Sequence, residues 1–357
     1  MAVFGTLVVA ADPDSSRASL AKLAGKGAVL EVTTVTDDEA VLFEGSRSTL
    51  LAGLKPDTAY EHDRVAFRTL PKPPGERLAT IATVNDLHFG ETECGVIDGF
   101  GLEIGPVLSV GPGEEPYPEV MNRAAAAEIA ALQPDVVVAK GDLTTHGSEA
   151  EYGAFLACYR TAFGDRLIWV RGNHDGHLAP FGRQEVTLPG VIIAVLDTAV
   201  PGLASGRIDG DQLEWLDELA SRADRPVLVF GHHHVWDPAS RSRPDTYFGV
   251  HPDDSEKLVQ VVARRPELVG YFAGHTHRNR VRRFPATRQV PWVEVACVKD
   301  FPGTWAEYRV YEGGILQIDH RIGSAEALAW SESCRALFGG LYVSYAFGEM
   351  ADRCLLV

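Results

Sequence analysis

The sequence predicts an α/β domain in which helices cover a sheet core, preceded by a small all-β module. Three observations carry this reading. Before Pro71 the chain holds short, apolar, β-branched runs separated by turn-rich segments, the pattern of strands. Pro71-Lys72-Pro73-Pro74-Gly75 then forms a stiff punctuation suited to an inter-domain linker. From Leu78 onward apolar strands alternate with helix-like segments, which indicates a sheet under helices. The expected units are therefore an all-β module at 1–75, the main domain at 76–322 and a C-terminal extension at 323–357.

In the module, strands are expected at Val3 to Ala10, Ala28 to Val35, Ala40 to Phe43 and Val65 to Leu70. The stretch Leu54-Lys55-Pro56-Asp57-Thr58-Ala59-Tyr60, followed by Phe67-Arg68-Thr69-Leu70-Pro71, resembles the end of a fibronectin type III-like sandwich, where a tyrosine anchors a strand corner. In the main domain the strands are Leu78 to Val84, Asp135 to Ala139, Leu167 to Val170, Val191 to Leu196, Val227 to Phe230 and Leu268 to Ala273. Helices fall around Glu119 to Leu132, Glu149 to Phe163, Asp209 to Ser221 and Asp253 to Arg264. Trp305 to Tyr311 and Ile315 to Ile322 flank Gly313-Gly314 as a hairpin. The extension holds a helix at Ala325 to Leu337 and an apolar tail, Leu341 to Val357, whose role the sequence leaves open.

With 49 acidic against 33 basic side chains the chain carries a net charge of −16. A protein that coats nucleic acid needs a surplus of Lys and Arg, so no nucleic-acid polymer is expected as a partner. The longest apolar runs are strand-sized, far short of the ~20 residues of a membrane helix, so no membrane span is expected. Met1 to Ala11 lacks a basic leader and runs into Asp12, which reads as a strand and not as a signal peptide. Five scattered cysteines without CxxC spacing suit a reduced, cytoplasmic protein. The absence of a Walker-type loop and of a G-x-S-x-G elbow leaves nucleotide-triphosphatase and serine-hydrolase readings without support.

Five clusters of metal-ligand residue types each follow an apolar strand: Asp86-Leu87-His88, Gly141-Asp142, Gly172-Asn173-His174-Asp175, Gly231-His232-His233-His234 and Gly274-His275-Thr276-His277. Any one of them alone reads as a solvated histidine or a turn-forming aspartate. Five in register point to one site, because functional loops of α/β sheets converge at the carboxyl ends of strands. Seven of the twelve histidines fall inside the clusters, where uniform scatter would put almost none. Side chains at i and i+2 of an extended segment share a face, so Asp86 with His88, and His275 with His277, can address one centre. Imidazole, carboxylate and amide oxygen without thiolate suit Mn²⁺, Fe or Zn²⁺. These candidates are too many for one closed tetrahedral zinc and about right for two ions sharing a bridging carboxylate.

This series, D-x-H, G-D, G-N-H-D, G-H and G-H-x-H in order within residues 78 to 322, resembles the calcineurin-like metallophosphoesterases. Gly141-Asp142-Leu143-Thr144 with Gly147 and Glu151-Tyr152 looks like the class III cyclic-nucleotide phosphodiesterase branch, as does Leu196-Asp197-Thr198-Ala199-Val200-Pro201-Gly202 with Gln212-Leu213-Glu214-Trp215-Leu216. Purple acid phosphatases would place a tyrosine where Thr145 stands, which disfavours a tyrosinate-ligated ferric site. The resemblance implies two packed β-sheets flanked by helices, an αββα sandwich. It implies one metal held by Asp86, His88 and His277 and another by Asn173, His232 and His275, with Asp142 bridging two divalent or mixed-valence ions (Mn, Fe or Zn). Strand-end geometry alone does not choose between His232 and His233, and His232, nearest the strand, is preferred. His174 matches the family's non-ligand histidine beside the asparagine, and Asp175 is expected to orient it. Asn173, His174 and Arg278 are the expected substrate contacts.

The expected activity is binuclear metal-dependent hydrolysis of phosphoric esters, which needs no protein nucleophile. Small-molecule diesters such as 3′,5′-cyclic nucleotides come first. A phosphomonoesterase or protein phosphatase, and a non-catalytic scaffold, are the alternatives, and oligomeric state, a homo-oligomer included, stays open. Three segments also keep two readings each. The run Arg278, Arg280, Arg282, Arg283 binds phosphate or nucleobase, or is a solvated hairpin face. The loop Val235 to His251 shapes a pocket or is a surface excursion, and Asp300-Phe301-Pro302-Gly303-Thr304-Trp305 stacks on a base or packs in the core.

Overall fold

A computed structural model describes residues 29–96, 105–176, 178 and 182–357, so the strand expected at Val3 to Ala10 lies outside the described residues. Strands β1 (Leu30–Val35), β2 (Glu39–Glu44) and β3 (Arg47–Ala52) form an antiparallel sheet, and β4 (Ala59–His62) pairs with β5 (Val65–Arg68) as a hairpin. The Tyr60 hydroxyl accepts the Lys55 amide N–H at 2.7 Å, which ties the corner before β4. Among the described residues the segment before Pro71 thus holds five strands.

The chain continues through β6 (Arg77–Val84), β7 (Glu93–Cys94), β8 (Leu108–Ser109), α1 (Tyr117–Leu132), β9 (Val136–Lys140), α2 (Glu149–Phe155), β10 (Leu167–Val170), β11 (Gln184–Leu188) and β12 (Val191–Val195). There follow α3 (Gly210–Arg222), β13 (Val227–Phe230), α4 (Pro252–Arg264), β14 (Leu268–Ala273), β15 (Arg280–Arg283), β16 (Pro291–Glu294), β17 (Thr304–Tyr311) and β18 (Gly314–Arg321). The last elements are α5 (Ala325–Ser333), α6 (Leu341–Ala346), α7 (Met350–Arg353) and β19 (Cys354–Leu356). Helix starts are set by side chains: Ser148 and Glu151 form a reciprocal capping box at α2, and Asp209 accepts the Gln212 amide at α3. Among the described residues no helix is long and apolar enough to cross a membrane.

Two six-stranded sheets result, β10-β9-β6-β17-β18-β19 and β11-β12-β13-β14-β16-β15. The period-2 alternation of the strands shows how they stack. Ile81, Val136, Val138, Ile193, Val195, Leu228 and Tyr308 join one buried cluster between the sheets. Their neighbours Ala82, Val137 and Ala139 pack outward against Met121, Ala125 and Ile129 of α1 and Phe155 of α2. Ile192, Ala194 and Val229 pack outward on the other side, against Leu213 and Leu216 of α3 and Leu258 and Val262 of α4. Every central strand is thus buried on both faces, which is why each reads as a continuous apolar run. The layers are helix, sheet, sheet, helix.

The parallel strands set the site. β6, β9 and β10 in one sheet, and β13 and β14 in the other, end at Val84, Lys140, Val170, Phe230 and Ala273, immediately before the five clusters. The C-terminal residues close the opposite flank of the first sheet, where β19 pairs antiparallel with β18. Val32, Val35, Leu42 and Phe67 of the N-terminal strands share a cluster there with Leu316, Ile318 and Cys354.

Candidate metal centre

Three of the five clusters turn inward on an uncommon backbone. Asp86, His88, Asp142, His275 and His277 adopt φ of 53°, 48°, 48°, 68° and 53°, the left-handed region that Asp, Asn and His tolerate better than other side chains. This corrects the expectation that i, i+2 alternation of an extended segment brings Asp86 to His88 and His275 to His277. β6 and β14 end before these residues, and left-handed turns bring the side chains together. Such outliers concentrate at functional sites because they cost free energy, of order 1–3 kcal/mol each, that the rest of the fold must offset.

The side chains meet around Asp142. Its Oδ2 lies 3.6 Å from His88 Nε2 and 3.3 Å from His232 Nε2, while its Oδ1 accepts the His174 amide at 2.9 Å. His232 Nε2 is also 3.1 Å from Asn173 Oδ1, and its Nδ1 donates to the Lys140 carbonyl at 2.9 Å, which fixes the ring. Asp86 accepts the His275 amide on both oxygens, at 3.0 and 2.9 Å, and its Oδ1 is 3.5 Å from His277 Nε2. Donor atoms within 4.8 Å of one another group Asp86 with His88 and His277, Asp86 with Asp142 and His232, and His232 with His233 and His275. The His233 ring is turned differently, with Nδ1 held by the Thr198 hydroxyl at 2.8 Å.

Burial opposes ionisation of Asp142, yet the imidazoles of His232, His174 and His88 outweigh it and hold the carboxyl well below its usual range. Burial likewise opposes protonation of His232, but Asp142 and Asp86 outweigh it and raise the ring to about 9. His88, His233 and His275 are pushed well below the usual histidine range, first by burial. Neither ring nitrogen of His88 makes a hydrogen bond, nor does Nε2 of His233 or of His275, and all three are buried. A buried donor or acceptor left unpaired costs about 1–3 kcal/mol, so buried imidazole nitrogens without a partner, gathered beside Asp86 and Asp142, fit a cation. Imidazole, carboxylate and amide oxygen are the donors of Mn, Fe or Zn.

The remaining expected residues fall as follows. His174 is exposed beside the centre, its ring centroid 4.6 Å from that of His88 and its Nδ1 donating to the Thr145 carbonyl at 2.8 Å. Asp175 does not orient that ring, as the sequence reading expected. It is buried and accepts from the Leu143 and Thr144 amides and from Gly172, at 2.9, 2.9 and 2.8 Å, because the turn after Asn173 sends adjacent side chains in different directions. The carbonyl of Thr145 is what orients His174. Arg278 lies on Glu294 at 2.8 Å and over the Tyr345 ring at 5.2 Å, beside the histidines and not among them. Phe301 and Trp305 are core residues, whereas the loop after Val235 returns Phe248 onto the His275 ring at 4.1 Å.

Three residues escaped the sequence reading. Glu91 Oε2 faces His88 Nδ1 at 3.3 Å, and Asp300 Oδ2 faces His277 Nδ1 at 3.8 Å, positions from which carboxylates commonly set the orientation of ligand imidazoles. Lys299 donates to both oxygens of Glu91 at 2.6 and 2.7 Å. An acid three residues after His88 was the one local signal; Asp300 and Lys299 reach the centre only through the fold.

The family model described as Calcineurin-like phosphoesterase matches residues 79–279, more than half of the chain. The cAMP/cGMP dual specificity phosphodiesterase of Mycobacterium tuberculosis (strain CDC 1551 / Oshkosh) is 33% identical over 163 residues, 41% of this chain and 49% of that protein. The glycerophosphodiester phosphodiesterase of Enterobacter lignolyticus (strain SCF1) is 27% identical over 189 residues, 45% of this chain and 65% of that protein. The matched region thus spans about half to two thirds of the length of these relatives. In structure, a dimetal phosphatase from Danio rerio aligns with a TM-score of 0.53 and 14% identity over 69% of this chain and 98% of that one, a likeness of fold. The family match covers both packed sheets as far as the loop after β14, including all five clusters at their strand ends, and the chain belongs to the calcineurin-like phosphoesterase family.

Proposed function

We propose that the chain hydrolyses phosphoric esters with two metal ions, and that small phosphodiesters, 3′,5′-cyclic nucleotides foremost, are its substrates. The observation that carries this is Asp142, a single carboxylate facing His88 on one side and His232 on the other. Asp86, His88 and His277 would hold one cation and Asn173, His232 and His275 the second, with Asp142 shared. His232 is the better ligand than His233, because its Nε2 faces both Asn173 and Asp142. Bound there, two divalent or mixed-valence ions (Mn, Fe or Zn) supply Lewis-acid polarisation of the phosphoryl oxygens and a nucleophile from water at neutral pH.

The chain's own part is placement and proton transfer. Glu91 and Asp300 steady the imidazoles of His88 and His277 from behind. The bond from His174 Nδ1 to Thr145 orients the ring and leaves Nε2 free, where it would take up a proton from solvent and pass it to the leaving-group oxygen. The names of the mycobacterial and enterobacterial relatives support a diester substrate. All five cysteines carry free thiols, which supports a reducing, cytoplasmic setting.

The test is a substrate panel of bis-p-nitrophenyl phosphate, p-nitrophenyl phosphate and cyclic nucleotides with added Mn²⁺. Turnover of the diesters, abolished by chelation and restored by Mn²⁺, is the expected result. Turnover of the monoester alone would replace this reading with a phosphomonoesterase, and no turnover of any of them would remove it.

A further inference from the structure

β15 pairs antiparallel with β16, Arg280 opposite Glu294, while β16 runs parallel to β14 with Glu294 opposite Ala273. The start of β15 therefore lies at the same sheet end as His275 and His277, and Arg278, Arg280 and Arg282 project from one face there. Glu294, buried, takes Arg278 through Nε at 2.9 Å and Nη2 at 2.8 Å, and its other oxygen is 3.5 Å from Arg282 Nε. Arg282 also donates to the Val235 carbonyl at 2.7 Å. One carboxylate thus faces a ladder of arginines. Arg280 is exposed, and its side chain makes no hydrogen bond or ion pair among the described residues.

This edge is continuous with the metal centre. The buried ring of His234, whose Nδ1 has no hydrogen-bond partner, stands 5.2 Å from Tyr247 and 6.0 Å from His275. Phe248, 42% exposed, lies on His275. Tyr345, under the Arg278 guanidinium, donates to the Thr276 carbonyl between the two histidines at 2.9 Å. In a chain of net charge −16, three guanidinium groups set around the single carboxylate of Glu294 are a local reversal of sign.

We infer that the arginine edge is an anion subsite with Arg280 as its recognition residue, and that beside cyclic nucleotides the site takes open phosphodiesters bearing a second phosphate on their nucleoside part, in preference to the same diesters without it. The inference rests on the hydrolase reading above, in which the metal centre takes the scissile phosphate. A guanidinium fork with free donors matches a second phosphate, and the aromatic wall of Tyr247 and Phe248 suits the ring system between the two. A cyclic nucleotide, whose single phosphate sits at the centre, leaves Arg280 unused.

The experiment compares the Mn²⁺-loaded full chain on thymidine 5′-(p-nitrophenyl phosphate) and on the same diester carrying a 3′-phosphate. The wild type should prefer the phosphorylated diester by about tenfold or more in kcat/KM, mostly through KM, the size of one charge-assisted contact. Arg280→Ala should bring the ratio of the two substrates close to one, Arg280→Lys should keep part of it, and added salt should erode it. A ratio near one in the wild type, or a ratio untouched by Arg280→Ala, overturns the subsite while leaving the hydrolase reading in place. Failure to turn over either diester or bis-p-nitrophenyl phosphate overturns both.

Discussion

An alanine at position 172 would put its methyl carbon 2.1 Å from Asp142 Oδ1 and 2.3 Å from the Asp142 backbone nitrogen, where real contacts of this kind stay above 3.0 Å. The two segments must separate by about 1 Å, and neither is free to do so cheaply. The Asp142 carbonyl accepts the Leu87 and His88 amides at 2.7 and 2.9 Å, so moving it drags the Asp86–His88 turn. The Gly172 amide donates to Asp175 at 2.8 Å, and Asp142 Oδ1 holds the His174 amide, so moving the other side shifts Asn173 and His174. Misplacing reacting groups by about 1 Å costs on the order of 10²-fold in rate, or ~2.7 kcal/mol of barrier, and overpacking costs a further ~1–3 kcal/mol of stability. The assay is kcat/KM for bis-p-nitrophenyl phosphate, with metal content by elemental analysis and urea unfolding on the same preparations. Gly153→Ala in α2 is the control, since an added Cβ there meets nothing within 4 Å and helix propensity favours it by up to about 1 kcal/mol. Folded Gly172→Ala protein with two metals and a rate within about threefold of wild type would refute the placement of Asp142 as the shared ligand, the threefold bound being ~0.7 kcal/mol of barrier.

Asp142→Ala should lose metal and activity together, and chelation should mimic it with recovery on Mn²⁺; a folded variant with near-normal hydrolysis would end the binuclear assignment. His174→Ala should keep both metals and lose about 10²–10⁴-fold in kcat, whereas a missing ion in elemental analysis would make His174 a ligand. Burial opposes ionisation of Glu294, but His234, Arg278, Arg282 and Arg280 outweigh it and hold its carboxyl at about 2, against 4.5 unfolded. A folded value below the unfolded one stabilises above pH 4.5 and is lost as pH falls toward 2, so Glu294→Gln should destabilise by about 3 kcal/mol near pH 7 and by roughly half as much at pH 3, read by urea unfolding. Leu42→Ala, in the cluster joining the N-terminal strands to Leu316 and Ile318, should cost about 2–5 kcal/mol in unfolding free energy with metal content and kcat unchanged; a catalytically dead but metal-loaded variant would place the N-terminal strands in the chemistry.

What could be read from the sequence follows from which surfaces are buried on both sides. Val136–Lys140, Val191–Val195 and Val227–Phe230 are covered front and back, so their apolar runs marked them as strands and the residues after them as a shared site. β11 and β15 lie at the edge of their sheet, with sequences QEVTL and RVRR, and only their partners make them strands. β19 was hidden in an apolar tail for the same reason, since its strand character comes from pairing with β18. At the centre the residue types were legible and their directions were not. Adjacency suggested that Asp175 serves His174 and alternation suggested how Asp86 meets His88, yet both outcomes depend on turns whose left-handed φ leaves no trace in hydrophobic pattern. At the centre five non-glycine residues hold that conformation and, with unpaired imidazole nitrogens beside them, place a local cost in the protein that no neighbouring side chain removes. A cation that binds the folded centre and not the unfolded chain offsets that cost by mass action, which ties stability to the same residues that carry the chemistry. Thermal unfolding followed against added Mn²⁺ therefore reads the assembly of the site without any substrate, and it should lose its metal dependence in Asp142→Ala.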